Sequence, residues 1–397
     1  MKKEIKVSGH LEFIKGIYHM KLSWVSAEGK RQRKSKSTEL PERGNKKRAQ
    51  DMLIDFQREQ EAELVANGNS TKDILFTDYM KQWYEKIKLE IRPTTQSSYR
   101  DNVYKIIVPY FEPMKLKLRE VTPKLIQDFY TEQRKRVKGN TVKKYHANIH
   151  KAFKDARKLQ LIDTNPMECV DPPKKEPYHA QAYTVDEAQK ILALVSESIY
   201  EIPVTVMLFY GLRREEALGL QWQNIDFDND TFLIAHTVTE ARNEQGHLQL
   251  FKEDLTKTSS SYRSLPLVAP VKELLLEKKK SIQEFKKLFR KGYHYEESEY
   301  VCVNEIGDLI RPRTLSDSFK RVVRKNKIRD LRLYDCRHTA ATIMLKKGVS
   351  MKQIQMILGH SDFATTANIY SHLDYSDKIP ATETMKEIIY GKDNETV

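Results

Sequence analysis

Cysteine is scarce in this 397-residue chain: Cys169, Cys302 and Cys336 stand far apart and without metal-ligand spacing. That argues against a disulfide scaffold or a cysteine-based zinc module and makes a reduced, intracellular protein the expectation. Long hydrophobic runs are missing too, and no apolar stretch reaches membrane-spanning length. The opening "MKKEIKVSGHLEF" carries Lys2 and Lys3 but no apolar segment behind them, so no secretory signal is expected. There is no internal repeat, no low-complexity tract, no glycine-rich phosphate loop and no metal-binding constellation.

Acidic residues are in short supply, but only along part of the chain. Lys and Arg number 69 against 55 Asp and Glu, giving a net charge of +14 and a pI near 9.3. Residues 1–72 hold 16 basic against 10 acidic residues, residues 73–177 hold 22 against 14, and residues 178–397 hold 31 of each. The whole excess thus lies in the first 177 residues. A polyanion gripped by the front of the chain fits this pattern, although solvated lysines on an ordinary basic protein produce the same count. The length suits two or three domains.

Residues 1–66 read as a small α/β module. "GIYHMKLSW" (Gly16–Trp24) and "KRQRKSKST" (Lys30–Thr38) look like strands around a turn at Glu28-Gly29. The second strand carries Lys30, Arg31, Arg33, Lys34 and Lys36 with no acid, a row that must face solvent or phosphate. A β-ribbon is thin enough to enter a major groove, and a lysine-rich edge also guards against aggregation. A helix from about Asn45 to Leu64 and a polar linker, Val65–Asp73, follow. Residues 74 to about 166 read as almost all helix, with Thr94, Thr122 and Asn140 as N-caps and Pro123 at a first helical position. Arg134, Lys135, Arg136, Lys143 and Lys144 are its candidate phosphate contacts. "DPPKKEP" (Asp171–Pro177) breaks structure and serves as a linker, and residues 178–390 are mixed helix and strand.

Four short segments of this last part hold the candidate chemistry. "YGLRREEALGLQW" sets Arg213 early in a helix with Glu216 three residues on, able to pair with it. "DLTKTSSSYRSLPL" sets Lys257 in a turn or hairpin, "RLYDCRHTAATIMLKKG" sets Arg337 near the start of an apolar helix, and "LGHSDFATTANIYSHL" supplies His360 and Tyr370. Each has a plain reading on its own. Arg213, beside Arg214, makes a surface ion pair with Glu215 or Glu216; Lys257 is a solvated turn residue; His360 caps a helix after Gly359; His338 packs. A phenol with a pKa near 10 is a weak nucleophile unless activated, and Tyr375 and Tyr334 compete with Tyr370 for that role.

Taken together and in this order, "GLRREEALGLQW", "TK", "DCRHTAATIMLKKGV" and "IQMILGHSDFATTANIYSHL" resemble the tyrosine recombinase (phage integrase) family. "TTQSSYRDNVYKIIVPYF" and "LIDTNP" are similar to that family's core-binding domain. The first 66 residues resemble the arm-site-binding domain of integrases from phages and conjugative elements. The resemblance implies a multidomain, mainly α protein: a small N-terminal α/β domain (1–66), a helical, SAM-like core-binding domain (74–170) and a mixed α+β catalytic domain (178–390). It implies site-specific breakage and rejoining of double-stranded DNA at core and arm-type sites, by a cytoplasmic homotetramer, nucleoid-associated when bound. An excisionase and a DNA-bending host factor are further implied partners. A type IB topoisomerase and a non-catalytic DNA-binding regulator are the alternatives.

In that chemistry Arg213 and Arg337 clamp the non-bridging phosphate oxygens, because planar guanidiniums match their geometry with paired donors. His360 adds a hydrogen bond, Lys257 protonates the leaving 5′ oxygen, and Tyr370 holds the 3′ end as a phosphotyrosyl ester. Arg263 is the alternative to Lys257, as a phosphate contact. The ester conserves the bond energy, so neither a metal nor a cofactor is expected. One position departs from the family pattern: many relatives have histidine where this chain has Tyr334. A phenol donates a hydrogen bond but does not readily accept a proton at neutral pH, which leaves Asp335, Glu216 or water as the base. Glu216, Tyr334 and His338 are the expected supporting residues. The tail "TETMKEIIYGKDNETV" has a short amphipathic segment that docks on a neighbouring protomer or folds back on its own domain.

Overall fold

The computed structural model describes residues 7–25, 31–72, 74–174, 176, 181–256 and 260–362, without the side chains of 62–72. Lys30, Lys257, Tyr370, Tyr375, the Glu28-Gly29 turn and the C-terminal tail lie outside the described residues. The chain divides into two compact units, Met1–Arg92 with Ser98–Glu176, and Pro93–Ser97 with Pro177–Val397.

The first unit opens with three antiparallel strands in sequential order, β1 (Ser8–Ile14), β2 (Ile17–Val25) and β3 (Arg31–Pro41), followed by helix α1 (Lys46–Lys72). Leu22 and Met20 of β2 close on Leu53 and Phe56 of α1 in a small core with Val7. Strand alternation splits the basic row of β3 between two faces. Lys34 and Lys36 lie over the Phe56 ring at 5.9 and 5.7 Å, and Lys34 Nζ donates to the buried Gln60 Oε1 at 2.6 Å. Arg31 and Arg33 fall on the opposite face, exposed. Two expectations need correction here. β1 joins the ribbon as a third strand, and the polar stretch read as a linker is helical as far as Lys72. No proline interrupts that stretch, and extending an existing helix costs far less than starting one.

The helical part of this unit comprises α2 (Phe76–Ile87), α3 (Pro93–Asn102, of which the residues from Ser98 on belong here), α4 (Val108–Phe111), α5 (Pro123–Arg134) and α6 (Gly139–Lys158). Its core is aromatic: the Phe76 ring meets Phe111 edge-on at 5.0 Å and stacks on Phe153 at 5.4 Å. Thr122 caps α5 through the Leu125 amide. Thr94 and Asn140 are not caps: α3 starts on Pro93, after Arg92, and α6 starts on Gly139, after Lys138. Asn140 instead brackets the backbone of Glu176, donating to its carbonyl at 3.0 Å and accepting from its amide at 3.2 Å. Arg134, Lys135, Arg136, Lys143 and Lys144 are exposed, with Lys135 and Arg136 paired to Glu132.

The second unit begins with α7 (Val185–Val195), closed by a Thr184–Glu187 capping box, then the apolar α8 (Glu201–Phe209) and the short α9 (Arg214–Leu218). A three-stranded sheet follows, ordered β4 (Ile225–Asp226), β5 (Thr231–Ile234) and β8 (Arg263–Pro266), with the hairpin β6 (His236–Arg242) and β7 (Leu248–Asp254) inserted between its last two strands. Helices α10 (Ala269–Phe289), α11 (Pro312–Lys325), α12 (Asp335–Lys346) and α13 (Met351–Leu358) complete it. One core joins α7, α8 and the sheet to α10 and α11.

Phe153 is fully buried. Phe153→Ala is expected to lower the stability of its unit by about 3–5 kcal/mol, read as a lower urea midpoint. A loss below about 1 kcal/mol would contradict the packing described.

Candidate active site

The C-terminal end of α13 is where the separate segments of the second unit meet. A helix leaves its last four carbonyls without partners inside the helix, and its dipole makes that end negative. Here three successive carbonyls each accept from a different arginine. Arg263 Nε donates to Ile357 O at 2.6 Å, Arg337 Nη2 to Leu358 O at 2.7 Å, and Arg213 Nη2 to Gly359 O at 3.1 Å. His360 follows directly.

Backbone geometry makes the approach close. Gly359 ends α13 in the left-handed region at φ +68°, and a Cβ there would lie 2.8 Å from Arg263 Nη1 and 2.9 Å from Ser260 O. Gly211, between α8 and α9, has φ +66°; a Cβ would lie 2.3 Å from Leu358 Cδ2. Its carbonyl accepts from Arg337 Nη1 at 2.6 Å. Arg337, in the first turn of α12 and 2% exposed, is thus held by two main-chain oxygens from different segments. Its buried Nε has no hydrogen-bond partner among the described residues.

Glu216, 1% exposed, is the carboxylate of the cluster. Oε1 accepts from Arg213 Nη1 at 2.6 Å, and Oε2 accepts from the Arg213 amide at 3.0 Å and from Arg263 Nη2 at 3.0 Å. Arg213 Nη1 also reaches Ser261 Oγ at 3.1 Å. The N-cap position of Arg213 on α9 is what lets one carboxylate take both its amide and its side chain.

The sequence reading therefore had Arg213 with Glu216, Arg337 and His360 in three separate stretches that the fold brings to one helix end. It left the base open among Asp335, Glu216 and water, and kept Arg263 as an alternative phosphate contact. Nε, Nη1 and Nη2 of Arg263 donate to Ile357 O, to Ser261 O at 2.8 Å and to Glu216, so its guanidinium is tied mainly into the cluster itself. Asp335 is 2% exposed and holds the Arg332 amide at 2.9 Å and Arg332 Nη2 at 2.8 Å. Both candidate carboxylate bases are thus engaged by cations. Tyr334 is 44% exposed, and its ring meets His338 edge-on at 5.3 Å. The part played by residues 357–359 is main-chain, and apart from Gly359 it left no mark in the sequence.

Comparison with known proteins places this constellation. Residues 181–377 match the phage integrase family model, and residues 75–133 match the phage integrase N-terminal SAM-like domain; together they span well over half of the chain. The chain belongs to the phage integrase family. A "Tyrosine recombinase XerC-like" protein of Caldanaerobacter subterraneus subsp. tengcongensis is 24% identical over 340 residues, covering 82% of this chain and 86% of its own length. In fold, the recombinase is similar to the Tn1549 transposon integrase solved with a circular intermediate DNA, with TM-score 0.61 and 18% identity over 77% of this chain and 99% of that one. It is also similar to lambda integrase, solved as a tetramer bound to a Holliday junction, with TM-score 0.53 and 17% identity over 93% and 96% of the two chains. The recombinase is an enzyme that breaks and rejoins DNA at specific sites.

The cluster sets the charge state of its members. Burial pushes the Glu216 carboxyl upward, but Arg263 and Arg213 outweigh it and leave it below its ordinary range. Burial, with the Arg213 charge behind it, pulls Arg337 down to about 10, still protonated at neutral pH. Burial, then Arg337 and Arg213, lowers His360 to about 4. At neutral pH the recombinase therefore presents two arginine cations and a neutral imidazole.

Titrated by NMR in the free protein, His360 is expected to change charge near pH 4; a midpoint near the ordinary 6.5 would contradict this environment. The sign follows from linkage. The unfolded chain binds this proton below about 6.5 and the folded one only below about 4, so His360 makes folding less favourable as pH falls through that window.

Proposed function

We propose that Arg213, Arg337 and His360 bind the scissile phosphate of a DNA strand, with Tyr370 as nucleophile and Lys257 as general acid. The observation that carries this reading is the convergence of two guanidiniums and a neutral imidazole on one helix end, with a buried Arg337 Nε that has no partner among the described residues. A clamp whose own carboxylate is already engaged by Arg213 and Arg263 keeps a surplus of positive charge for the negative charge that develops on the phosphate. Neutral His360 serves as a hydrogen-bond donor rather than an acid.

In the forward step the Tyr370 phenolic oxygen forms a bond to phosphorus and the bond from phosphorus to the 5′ oxygen breaks. The 5′ oxygen takes a proton from the Lys257 ammonium, and the phenol proton leaves to water, since Glu216 and Asp335 are held by arginines. Rejoining is the reverse, with a 5′ hydroxyl from the exchanged strand as attacking group. We assign residues 1–66 to arm-type sites, 74–170 to core sites and 178–390 to catalysis, with exposed Arg31, Arg33, Arg134, Lys143 and Lys144 among the phosphate contacts. Assembly as a tetramer on two sites of an integrating and excising element, with an excisionase and a DNA-bending host factor, completes the reading. Likeness in fold to the lambda tetramer on a Holliday junction and to a transposon integrase supports exchange between sites over topoisomerase-type relaxation.

A DNA substrate nicked beside the cleavage point, which loses the 5′ fragment after attack, is expected to trap the protein covalently. Tyr370→Phe should abolish the adduct, and Arg213→Ala or Arg337→Ala should slow its formation by about 10²–10³. No adduct with the wild-type protein would overturn the reading. Two intact sites should yield recombinant product; relaxation of supercoils without it would favour the topoisomerase.

A further inference from the structure

Arg263 belongs to none of the roles above, yet it is among the most constrained side chains of the cluster. Its side chain is 8% exposed, and it precedes an ordinary strand segment, "SLPL", in the sheet partner of β5. Its guanidinium spans three things at once. It holds Glu216 through Nη2 at 3.0 Å and more loosely through Nη1 at 3.4 Å, the end of α13 through Ile357 O, and the turn before its own strand through Ser261 O. Glu216 in turn fixes Arg213 by both amide and guanidinium.

We infer that Arg263 is a positioning residue of the recombinase, setting the Arg213 guanidinium against the end of α13 by fixing the Glu216 carboxylate between them. This rests on the reading of Arg213 as a phosphate clamp. Without Arg263, Glu216 keeps one cationic partner instead of two, and Ile357 O loses its donor. The carboxylate is then free to draw Arg213 out of line with Gly359 O, to which Arg213 Nη2 donates. Lysine cannot replace it fully, since an ammonium is a point donor and does not hold a carboxylate and two carbonyls in one plane. The distinctive consequence is chemical: the loss falls on neutralisation of the phosphate charge, although Arg263 acts through Glu216 and Arg213.

The test compares cleavage of two nicked substrates, one with an ordinary scissile phosphate and one with a methylphosphonate there. The methylphosphonate lacks the negative charge, so a misplaced clamp matters less. The ratio of the two rates within one preparation is independent of the fraction folded. Arg213→Ala is the control: if its ratio does not rise over wild type, the clamp reading fails, whatever Arg263 does. With that control positive, Arg263→Gln is expected to slow phosphate cleavage at least tenfold, leave the Kd for the DNA within about threefold, and raise the methylphosphonate-to-phosphate ratio. Adding Arg263→Gln to Arg213→Ala should cost less than about threefold more, because both act through one group. An unchanged ratio, or full additivity in the double variant, would overturn the proposal; additivity would mark a direct phosphate contact. Should Arg263→Gln not fold, Arg263→Lys, which keeps a cation beside Glu216, carries the same comparison with a smaller expected loss.

Discussion

The buried end of α13 carries carbonyl oxygens that must find donors, and the fold supplies them as arginines from three different segments. Guanidiniums brought this close repel one another, and two influences offset the repulsion: the negative end of the helix and the single carboxylate of Glu216. The offset is incomplete, since three cations meet one anion in this cluster. Structure and chemistry are therefore not separable here. The hydrogen bonds that terminate the helix also aim the arginines, and the uncompensated charge that costs stability is the charge that suits a phosphate.

The same field decides what kind of group His360 is. A histidine on an open surface changes charge near 6.5, whereas here burial and two arginines hold it neutral down to about 4. It suits hydrogen bonding to phosphate and is a poor proton donor to a leaving group, which is why the proposed acid is Lys257. The departure at Tyr334 fits this scheme without being forced by it. The phenol is half out in solvent against His338, and neither nearby carboxylate is available to take a proton.

The front of the chain works by a different logic. Its described cations lie mostly on exposed positions, where they cost little and keep their hydration. Even there the fold redistributes what the sequence lists in a row. Lys34 and Lys36 turn to the Phe56 side of the sheet, leaving Arg31 and Arg33 on the other face. A row of charges in a strand is two half-rows, because side chains alternate.

Much was legible from residue order alone. Helical periodicity marked the region after residue 74, prolines marked the break at 171–177, and charge counting separated a basic front from a neutral back. The ordered motifs named the family, because a phosphate clamp needs guanidiniums and a covalent exchange needs a nucleophile. Local signals failed where neighbours decided the outcome: the caps at Thr94 and Asn140 gave way to Pro93 and Gly139, and the polar stretch 65–72 continued a helix. What tertiary structure alone decided is which polar groups were already taken. Arg263, Glu216 and Asp335 look like free chemistry in the sequence, yet each is committed to partners 2 to 94 residues away along the chain. Sequence fixes the kind of donor or acceptor a residue offers; only the fold brings the partner that uses it up.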